Sequence, residues 1–201
     1  MSRLPFALSL AASLVLVAGC TPRTASSSAH ADASRAAVTA AAPDEPSLYD
    51  LESAWTDQRG VTRPLSALRG RPQVVAMIYT HCTATCPIAV GEMKRIEAAT
   101  DSSVGLVLVT LDPVRDTTAT LAAYAKERGL NPSRWTLLAG AEGDVRELAA
   151  AIGVRYRALG PADIAHSNVI TLLDANGAIA HQQSGFEGTA DAIRVANALT
   201  R

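Results

Sequence analysis

The sequence predicts an α/β protein, a sandwich in which a central mixed β-sheet is flanked by helices. Two short runs rich in β-branched residues are each followed by a helical pattern, which is typical of parallel strands with crossover helices. Later in the chain, two strand-like segments meet at an Asn-Gly turn and precede a closing helix, which indicates an antiparallel addition to the same sheet.

The first half of the folded part is expected to begin with a small hairpin. Leu48 to Trp55 and a segment around Val61 flank the turn-forming residues 57–60. The buried strands are predicted over Gln73 to Thr80 and Val104 to Leu111. One helix should begin at Cys86-Pro87, and a second should follow Asp116 as its N-cap and end at Gly129.

The second half is expected to continue with a strand, a helix, a hairpin and a final helix. The predicted bounds are Trp135 to Leu138, Asp144 to Ile152, Asn168 to Leu173, Ala178 to Gln182 and about Thr189 to Leu199. This order, with two cysteines at the start of the helix after the first long strand, resembles the thioredoxin fold. We therefore expect a thioredoxin-like domain over residues 48–201.

The first 47 residues differ in composition from the predicted folded domain that follows them. Arg3, an apolar run from Phe6 to Ala18 and small residues up to Cys20 predict a lipoprotein-type signal peptide over residues 1–19. The segment ending at Cys20 resembles a bacterial lipobox, which implies lipidation of Cys20, although an ordinary cleaved signal or a short uncleaved anchor would also fit. Residues 20–47 are mostly small or polar and predict a flexible tether. We expect an exported, membrane-anchored lipoprotein facing the periplasm or the cell exterior.

The composition excludes several classes of protein. The chain of 201 residues is 48% hydrophobic and 18% charged, which suits one folded core and excludes a wholly disordered chain. The formal net charge is −1 and no long run of Lys or Arg occurs, so we expect no nucleic-acid partner.

Cys82 and Cys86 are the main candidates for chemistry. If Cys20 carries lipid, they remain as an even pair four residues apart, able to close as a disulfide. Pro87 favours an extended, cap-like backbone at Cys86, and the helix dipole should favour the thiolate form of both cysteines. Thiolates bind metal or attack disulfides, and three intervening residues leave room for an ion. A purely stabilising disulfide over so short a loop would contribute about 2 kcal/mol or less.

One of four histidines is a candidate third ligand. In the thioredoxin fold, the loop end that packs against the cysteine-bearing helix corresponds to His166 in this sequence. His30 lies in the tether, and we expect His81 and His181 to be solvated or satisfied polar side chains. Two thiolates suit Cu(I), and an added imidazole gives a set that also holds Cu(II) or zinc.

Three motifs together resemble the Sco/SenC family of exported copper-binding proteins. They are Tyr79-Thr80-x-Cys82-x-x-x-Cys86-Pro87, Leu111-Asp112-Pro113-x-Arg115-Asp116-Thr117 and His166-Ser167. The resemblance implies a copper site formed by Cys82, Cys86 and His166 in a metallochaperone for the binuclear copper centre of cytochrome c oxidase. The implied partner is the copper-bearing oxidase subunit or another periplasmic copper chaperone.

The segment containing Asp112 has two interpretations. As structure, Asp116 or Thr117 caps a helix and Arg115 pairs with a carboxylate. As function, Asp112 follows a parallel strand at the edge where sites form, and could support the site by tuning a nearby ligand.

Other functions remain open at this point. A thiol-disulfide reductase that keeps the oxidase copper-site cysteines reduced would need only Cys82 and Cys86. A peroxide-reducing thiol enzyme and a structural zinc protein are further alternatives. For copper transfer by ligand exchange, we expect the three side chains at one edge of the domain, with the sulfurs reachable from solvent.

Overall fold

The computed structural model describes residues 46–160 and 163–201. The predicted signal peptide, Cys20, His30 and nearly all of the predicted tether lie outside these residues. The described residues belong to one compact unit, in which the first regular element is a 3-10 turn at Leu48–Asp50.

The described residues form nine strands and four helices. The strands are β1 (Trp55–Asp57), β2 (Thr62–Arg63), β3 (Gln73–Ile78), β4 (Gly105–Thr110), β5 (Trp135–Gly140), β6 (Tyr156–Ala158), β7 (Ile164–His166), β8 (Val169–Leu173) and β9 (Ile179–Ser184). The helices are α1 (Cys86–Ala99), α2 (Thr118–Glu127), α3 (Glu142–Ala151) and α4 (Thr189–Leu199). A second 3-10 turn spans Leu65–Leu68.

Seven strands form the central sheet in the order β2-β1-β5-β4-β3-β8-β9. Strands β3, β4 and β5 are parallel, whereas β8 and β9 on one side and β1 and β2 on the other are antiparallel to their neighbours. Among the residues that the structure describes, strands β6 and β7 pair only with each other, as a separate two-stranded sheet. The predicted mixed α/β sandwich is therefore confirmed.

The sheet is covered on both faces, which explains why β3 and β4 are apolar at nearly every position. On one face, Met93 and Ile96 of α1 pack with apolar residues of α2 and α4. On the other face, Val145 and Leu148 of α3 pack with the two 3-10 turns and Trp55. Because β3 and β4 are parallel neighbours, the loops that follow them lie at the same edge of the sheet.

The structure differs from the sequence prediction at three places. Leu48–Asp50 forms a 3-10 turn, and only the short strands β1 and β2 make the expected hairpin. The N-cap of α2 is Thr117, whose hydroxyl accepts from the Thr120 N–H, because the Asp116 carboxylate is used elsewhere. The segment before Asn168 was expected to be a loop but contains strands β6 and β7.

No helix in the described part of the chain is long and apolar enough to cross a lipid bilayer.

Candidate metal centre

The two cysteines lie where β3 gives way to α1. The Cys82 N–H donates to the Tyr79 carbonyl at 3.1 Å, which turns the chain just beyond the strand. Cys86 is the first residue of α1, and the Thr85 carbonyl accepts from Ile88 and Ala89 in the first turn. The expected extended, cap-like conformation of Cys86 is therefore wrong. Pro87 is tolerated there because it lies in the first turn, where its missing N–H needs no helical partner.

His166 reaches the cysteines from the separate two-stranded sheet. It is the last residue of β7 and pairs with Tyr156 of β6. Just beyond it, Ser167 is tied to Arg155 by two hydrogen bonds, Ser167 N–H to the Arg155 carbonyl at 2.8 Å and Arg155 N–H to the Ser167 hydroxyl at 2.9 Å. These bonds fix the end of β7, and with it the backbone that carries His166.

The three predicted ligands converge. The Cys86 sulfur lies 3.5 Å from Nε2 of His166, and the donor atoms of Cys82, Cys86 and His166 all lie within 4.8 Å of one another. Two sulfurs sharing one ion at about 2.3 Å are roughly 4 Å apart in a trigonal arrangement, so the group needs only small shifts to close on a metal.

The imidazole of His166 is oriented for coordination. Its Nδ1 lies 3.1 Å from the carbonyl oxygen of Ser167. A carbonyl only accepts hydrogen bonds, so the proton of the neutral ring sits on Nδ1 and the lone pair of Nε2 faces the sulfurs. Such an outer hydrogen bond fixes the tautomer that a metal requires.

The two thiols are electrostatically unequal. Burial opposes ionisation of Cys82, but hydrogen bonds from the Cys86 thiol and from backbone N–H groups of residues 84–86 outweigh it and lower the pKa of Cys82 to about 6. Burial, reinforced by the neighbouring Cys82 and Asp116 charges, raises the pKa of Cys86 far above its ordinary value. The expected thiolate character thus applies to Cys82 but not to Cys86.

The expectation that both sulfurs would be reachable from solvent is wrong. Cys86 is 0% exposed and Cys82 only 6%, whereas His166 is partly exposed. The first turn of α1 and the packing of Tyr79 close over the cysteines. Both cysteines are free thiols in the structure, and a disulfide between them stays a prediction.

Tyr79 is a supporting residue to which the sequence analysis gave no role of its own. Its ring meets the His166 imidazole edge-on, with centroids 6.0 Å apart, and its hydroxyl accepts from the Ile164 N–H at 3.5 Å. Tyr79 therefore links the loop that carries the cysteines to strand β7. The signal in the sequence was its place directly after a buried strand and three residues before Cys82.

The carboxylate whose charge acts on the cysteines is that of Asp116 rather than that of Asp112. It is fully buried and accepts from the Thr80 N–H at 3.0 Å and from the hydroxyls of Thr80 and Thr110. Asp116 thereby fastens the end of β3 to the end of β4. Asp112 pairs with Arg115 as the structural interpretation predicted, and its tuning of a ligand stays a prediction.

The other two described histidines do not join the group. His81 is exposed, with Nδ1 3.2 Å from the Thr80 hydroxyl and 3.8 Å from Asp116, so it is solvated as expected. His181 differs from the expectation, because its Nε2 is buried without a hydrogen-bond partner among the described residues.

Fold and site together define a class of protein. It is a thioredoxin-like α/β domain carrying two thiols and one imidazole at the edge of its parallel strands. Residues 42–201 match the model of the SCO1/SenC family, and the chain belongs to that family.

Individual relatives agree with this assignment. The SCO1 protein homolog of Bacillus subtilis is 22% identical over 152 residues, covering 72% of this chain and 79% of that protein. The mitochondrial protein SCO2 homolog of Bos taurus is 29% identical over 132 residues, covering 60% of this chain and 48% of the bovine protein. The chain thus spans about half the length of that relative.

Solved structures share the fold. A SCO1/SenC family lipoprotein from Bacillus anthracis superposes with a TM-score of 0.67 at 24% identity, covering 80% of this chain and all of that one (100%). ScoI of Bradyrhizobium japonicum with copper bound gives a TM-score of 0.62 at 24% identity, covering 74% of this chain and 96% of that one.

Proposed function

We propose that this protein is a copper metallochaperone that holds one copper ion through Cys82, Cys86 and His166. The observation that carries the proposal is the convergence of two sulfurs and Nε2 of one imidazole within 4.8 Å. Two soft thiolates favour Cu(I), and the imidazole extends the set to Cu(II). Membership of the SCO1/SenC family and a Stutzerimonas stutzeri relative named for copper binding support the choice of copper over zinc.

The proposed recipient is the copper-bearing subunit of cytochrome c oxidase, during assembly of its binuclear copper centre, or another copper chaperone outside the cytoplasm. Support comes from a solved relative, BsSco, described as a member of a family of cytochrome c oxidase assembly proteins. Transfer is ligand exchange, in which a donor from the recipient enters the open coordination position and the ligands of this chain leave. Since His166 is the most exposed of the three, it is the first ligand to be replaced.

Anaerobic titration with Cu(I) in competition with a chelator tests the site. We expect one ion per chain, no retention by Cys82→Ser or Cys86→Ser, and weakened retention by His166→Ala. His81→Ala is the matched control, since this exposed imidazole lies next to Cys82 but outside the group, and it should bind copper like the wild type. No uptake by the reduced wild type would contradict the proposal.

The unequal thiols favour a second function at the same site, reduction of a disulfide. The Cys82 thiolate would attack a substrate disulfide to form a mixed disulfide, and Cys86 would then displace the substrate thiol while the Cys82–Cys86 disulfide forms. The substrate proposed is the oxidised cysteine pair of the oxidase copper site. His166→Ala should spare this reduction while weakening copper retention, which separates the two functions in one variant.

We also propose that the chain is exported and anchored by lipid at Cys20, in the outward-facing position that the sequence predicts. The apolar run followed by Gly19-Cys20 supports this. Mass spectrometry of the membrane fraction should show an acylated N-terminal cysteine, and Cys20→Ser should abolish the modification. A mature chain beginning at another residue would contradict it.

A further inference from the structure

The two edges of the seven-stranded sheet differ in how well they are protected from pairing with another chain. Strand β2 forms one edge, and it has only two residues, carries Arg63 and is followed directly by Pro64. Short strands, charged side chains and prolines are the features that keep sheet edges from accepting a further strand. Strand β9 forms the other edge with six residues, and it contains no proline and no Asp, Glu, Lys or Arg. The β9 edge therefore lacks the protection that β2 has.

The backbone of β9 presents hydrogen-bonding groups at this edge. The Gly185 N–H donates to the Asn168 carbonyl at 2.8 Å, so these two residues form a hydrogen-bonded pair beside β8 and β9. Non-bonded pairs alternate with such pairs along antiparallel strands, and the register places Gln182 and Ser184 at non-bonded positions. Their N–H and carbonyl groups thus point away from β8. Among the described residues, no other group hydrogen-bonds to them.

Two side chains of β9 have buried polar atoms that lack a partner. Nε2 of His181 and both amide atoms of Gln183 form no hydrogen bond with any described residue. These side chains lie opposite Leu172 and Ile170, which pack with residues of α4, so they are on the α4 face of the sheet. A strand paired antiparallel with β9 would bring its own side chains to about 5 Å from theirs, Cβ to Cβ.

The sequence of β9 favours a second copy of the chain as the occupant of this edge. Two copies of β9 pair without bringing like charges together, because the strand has no Asp, Glu, Lys or Arg. A twofold axis at Gln182 places His181 of each copy opposite Gln183 of the other. A side-chain rotation then lets the imidazole and the amide hydrogen-bond in both halves. Pairing of β9 with β2 of another copy would extend into a filament, and the short, charged β2 opposes it.

We propose that β9 is a docking edge for a second copy of this chain, which pairs antiparallel through its own β9 about a twofold axis at Gln182. The backbone N–H and carbonyl of Gln182 bond to those of Gln182 in the second copy, and the two sheets join into one. The symmetric pairing uses up the β9 edge of both copies, so assembly stops at the dimer. The dimer is independent of the proposed function, since β9 supplies no donor to the metal centre.

Analytical ultracentrifugation of the purified, reduced full chain measures the association. We expect a monomer–dimer equilibrium with a Kd of about 100 μM, because a single strand pair buries less area than a stable dimer needs. Amide hydrogen exchange locates the interface. At about 1 mM, where about four fifths of the chains are paired, exchange at Gln182 and Ser184 should be about fivefold slower than in dilute solution. The inward-facing Gln183 amide should show no such change.

Substitution of Gln182 tests the position of the axis. Gln182→Lys places two lysines directly opposite each other and should raise the Kd about fivefold. Gln182→Ala is the matched control, because it loses the same side-chain bonds to the Ile152 carbonyl and the Thr171 hydroxyl without adding charge. Thr62→Lys adds the same charge to the β2 edge. Both controls should leave the Kd within about twofold of the wild-type value.

Three results would overturn the inference. A chain that stays monomeric at about 1 mM has no such interface. Equal weakening by Gln182→Lys and Thr62→Lys would show that net charge, rather than the β9 edge, governs association. A monomeric chain whose Gln182 and Ser184 amides are protected only by an added peptide, Thr-Val-Thr-Val-Thr-Val, would assign the edge to a strand of a different protein.

Discussion

At the scale of single residues, the site depends on an asymmetry between two thiols. Cys82 accepts hydrogen bonds that stabilise its thiolate, including one from the Cys86 N–H at 3.3 Å, whereas Cys86 is buried beside that charge. The residue types and their spacing identified the two cysteines, because soft ligands at a helix start form a local pattern, whereas His166 was identified through the resemblance to the thioredoxin fold. The asymmetry was not predictable, since it depends on burial by residues distant in sequence.

This asymmetry predicts the protons released on copper binding. At pH 7.5 the Cys82 thiol, with a pKa of about 6, is already ionised, so Cu(I) displaces about one proton per ion, the one on Cys86. The number should rise as the pH is lowered through 6, because Cys82 then also carries a proton. A pH indicator in weakly buffered, anaerobic solution measures the release. Two protons per ion at pH 7.5 would contradict the assignment of Cys82 as the thiolate.

Tyr79 is predicted to orient His166 through its ring. Tyr79→Ala removes the edge-on contact, for which about 1 kcal/mol is typical, and should weaken Cu(I) binding about fivefold. Tyr79→Phe keeps the ring and should bind like the wild type. Because Tyr79→Ala also costs about 3 kcal/mol of stability, circular dichroism must first confirm that it is folded. Equal affinities of the two variants would show that the ring does not position the histidine.

At the scale of elements, long apolar segments were predictable and short polar ones were not. Strands β3 and β4 and helices α1 and α4 were recognised because their burial patterns follow from repeated apolar residues. Strands β6 and β7 have three residues each and only partial burial, so no periodicity identified them. Of the two capping residues predicted for α2, Thr117 is right and Asp116 is wrong, because a capping role is judged from local sequence, whereas the Asp116 partner Thr80 lies 36 residues away.

The turn between β8 and β9 was recognised from Asn176-Gly177, and its glycine provides a test. Gly177 has φ of +92°, and a Cβ there would lie 2.4 Å from the Tyr49 ring. Gly177→Ala should therefore cost about 3 kcal/mol or more of unfolding free energy, from backbone strain and overpacking combined. Gly129→Ala is the control, since φ is +59° in open space, and should cost only about 1 kcal/mol. Urea unfolding measures both, and equal losses would refute the role of Tyr49.

At the scale of the whole molecule, the site joins parts of the chain that are far apart in sequence. Cys86 and His166 are separated by 80 positions, and the loop after β3, helix α1 and strand β7 each contribute to one small group. The order of elements predicted this convergence only through resemblance to a known fold. Spacing along the chain alone does not bring His166 to the cysteines.

Copper should consequently stabilise the whole fold. With free Cu(I) buffered at about 1,000 times the Kd, binding adds about 4 kcal/mol to the unfolding free energy and should raise the Tm by about 10 °C. His166→Ala should show a smaller rise, and Cys82→Ser/Cys86→Ser none. Scanning calorimetry under anaerobic conditions measures the three values. An equal rise in all three proteins would indicate that copper binds elsewhere.

The two-stranded sheet of β6 and β7 shares no strand pairing with the central sheet. The imidazole is thus carried by this hairpin, whereas the sulfurs are carried by the loop after β3 and the start of α1. An outward movement of this hairpin would increase the distances between Nε2 of His166 and the two sulfurs without breaking a strand pair of the seven-stranded sheet. If the chain carries copper as proposed, release of the ion by movement of this hairpin would leave every strand pair of the central sheet intact.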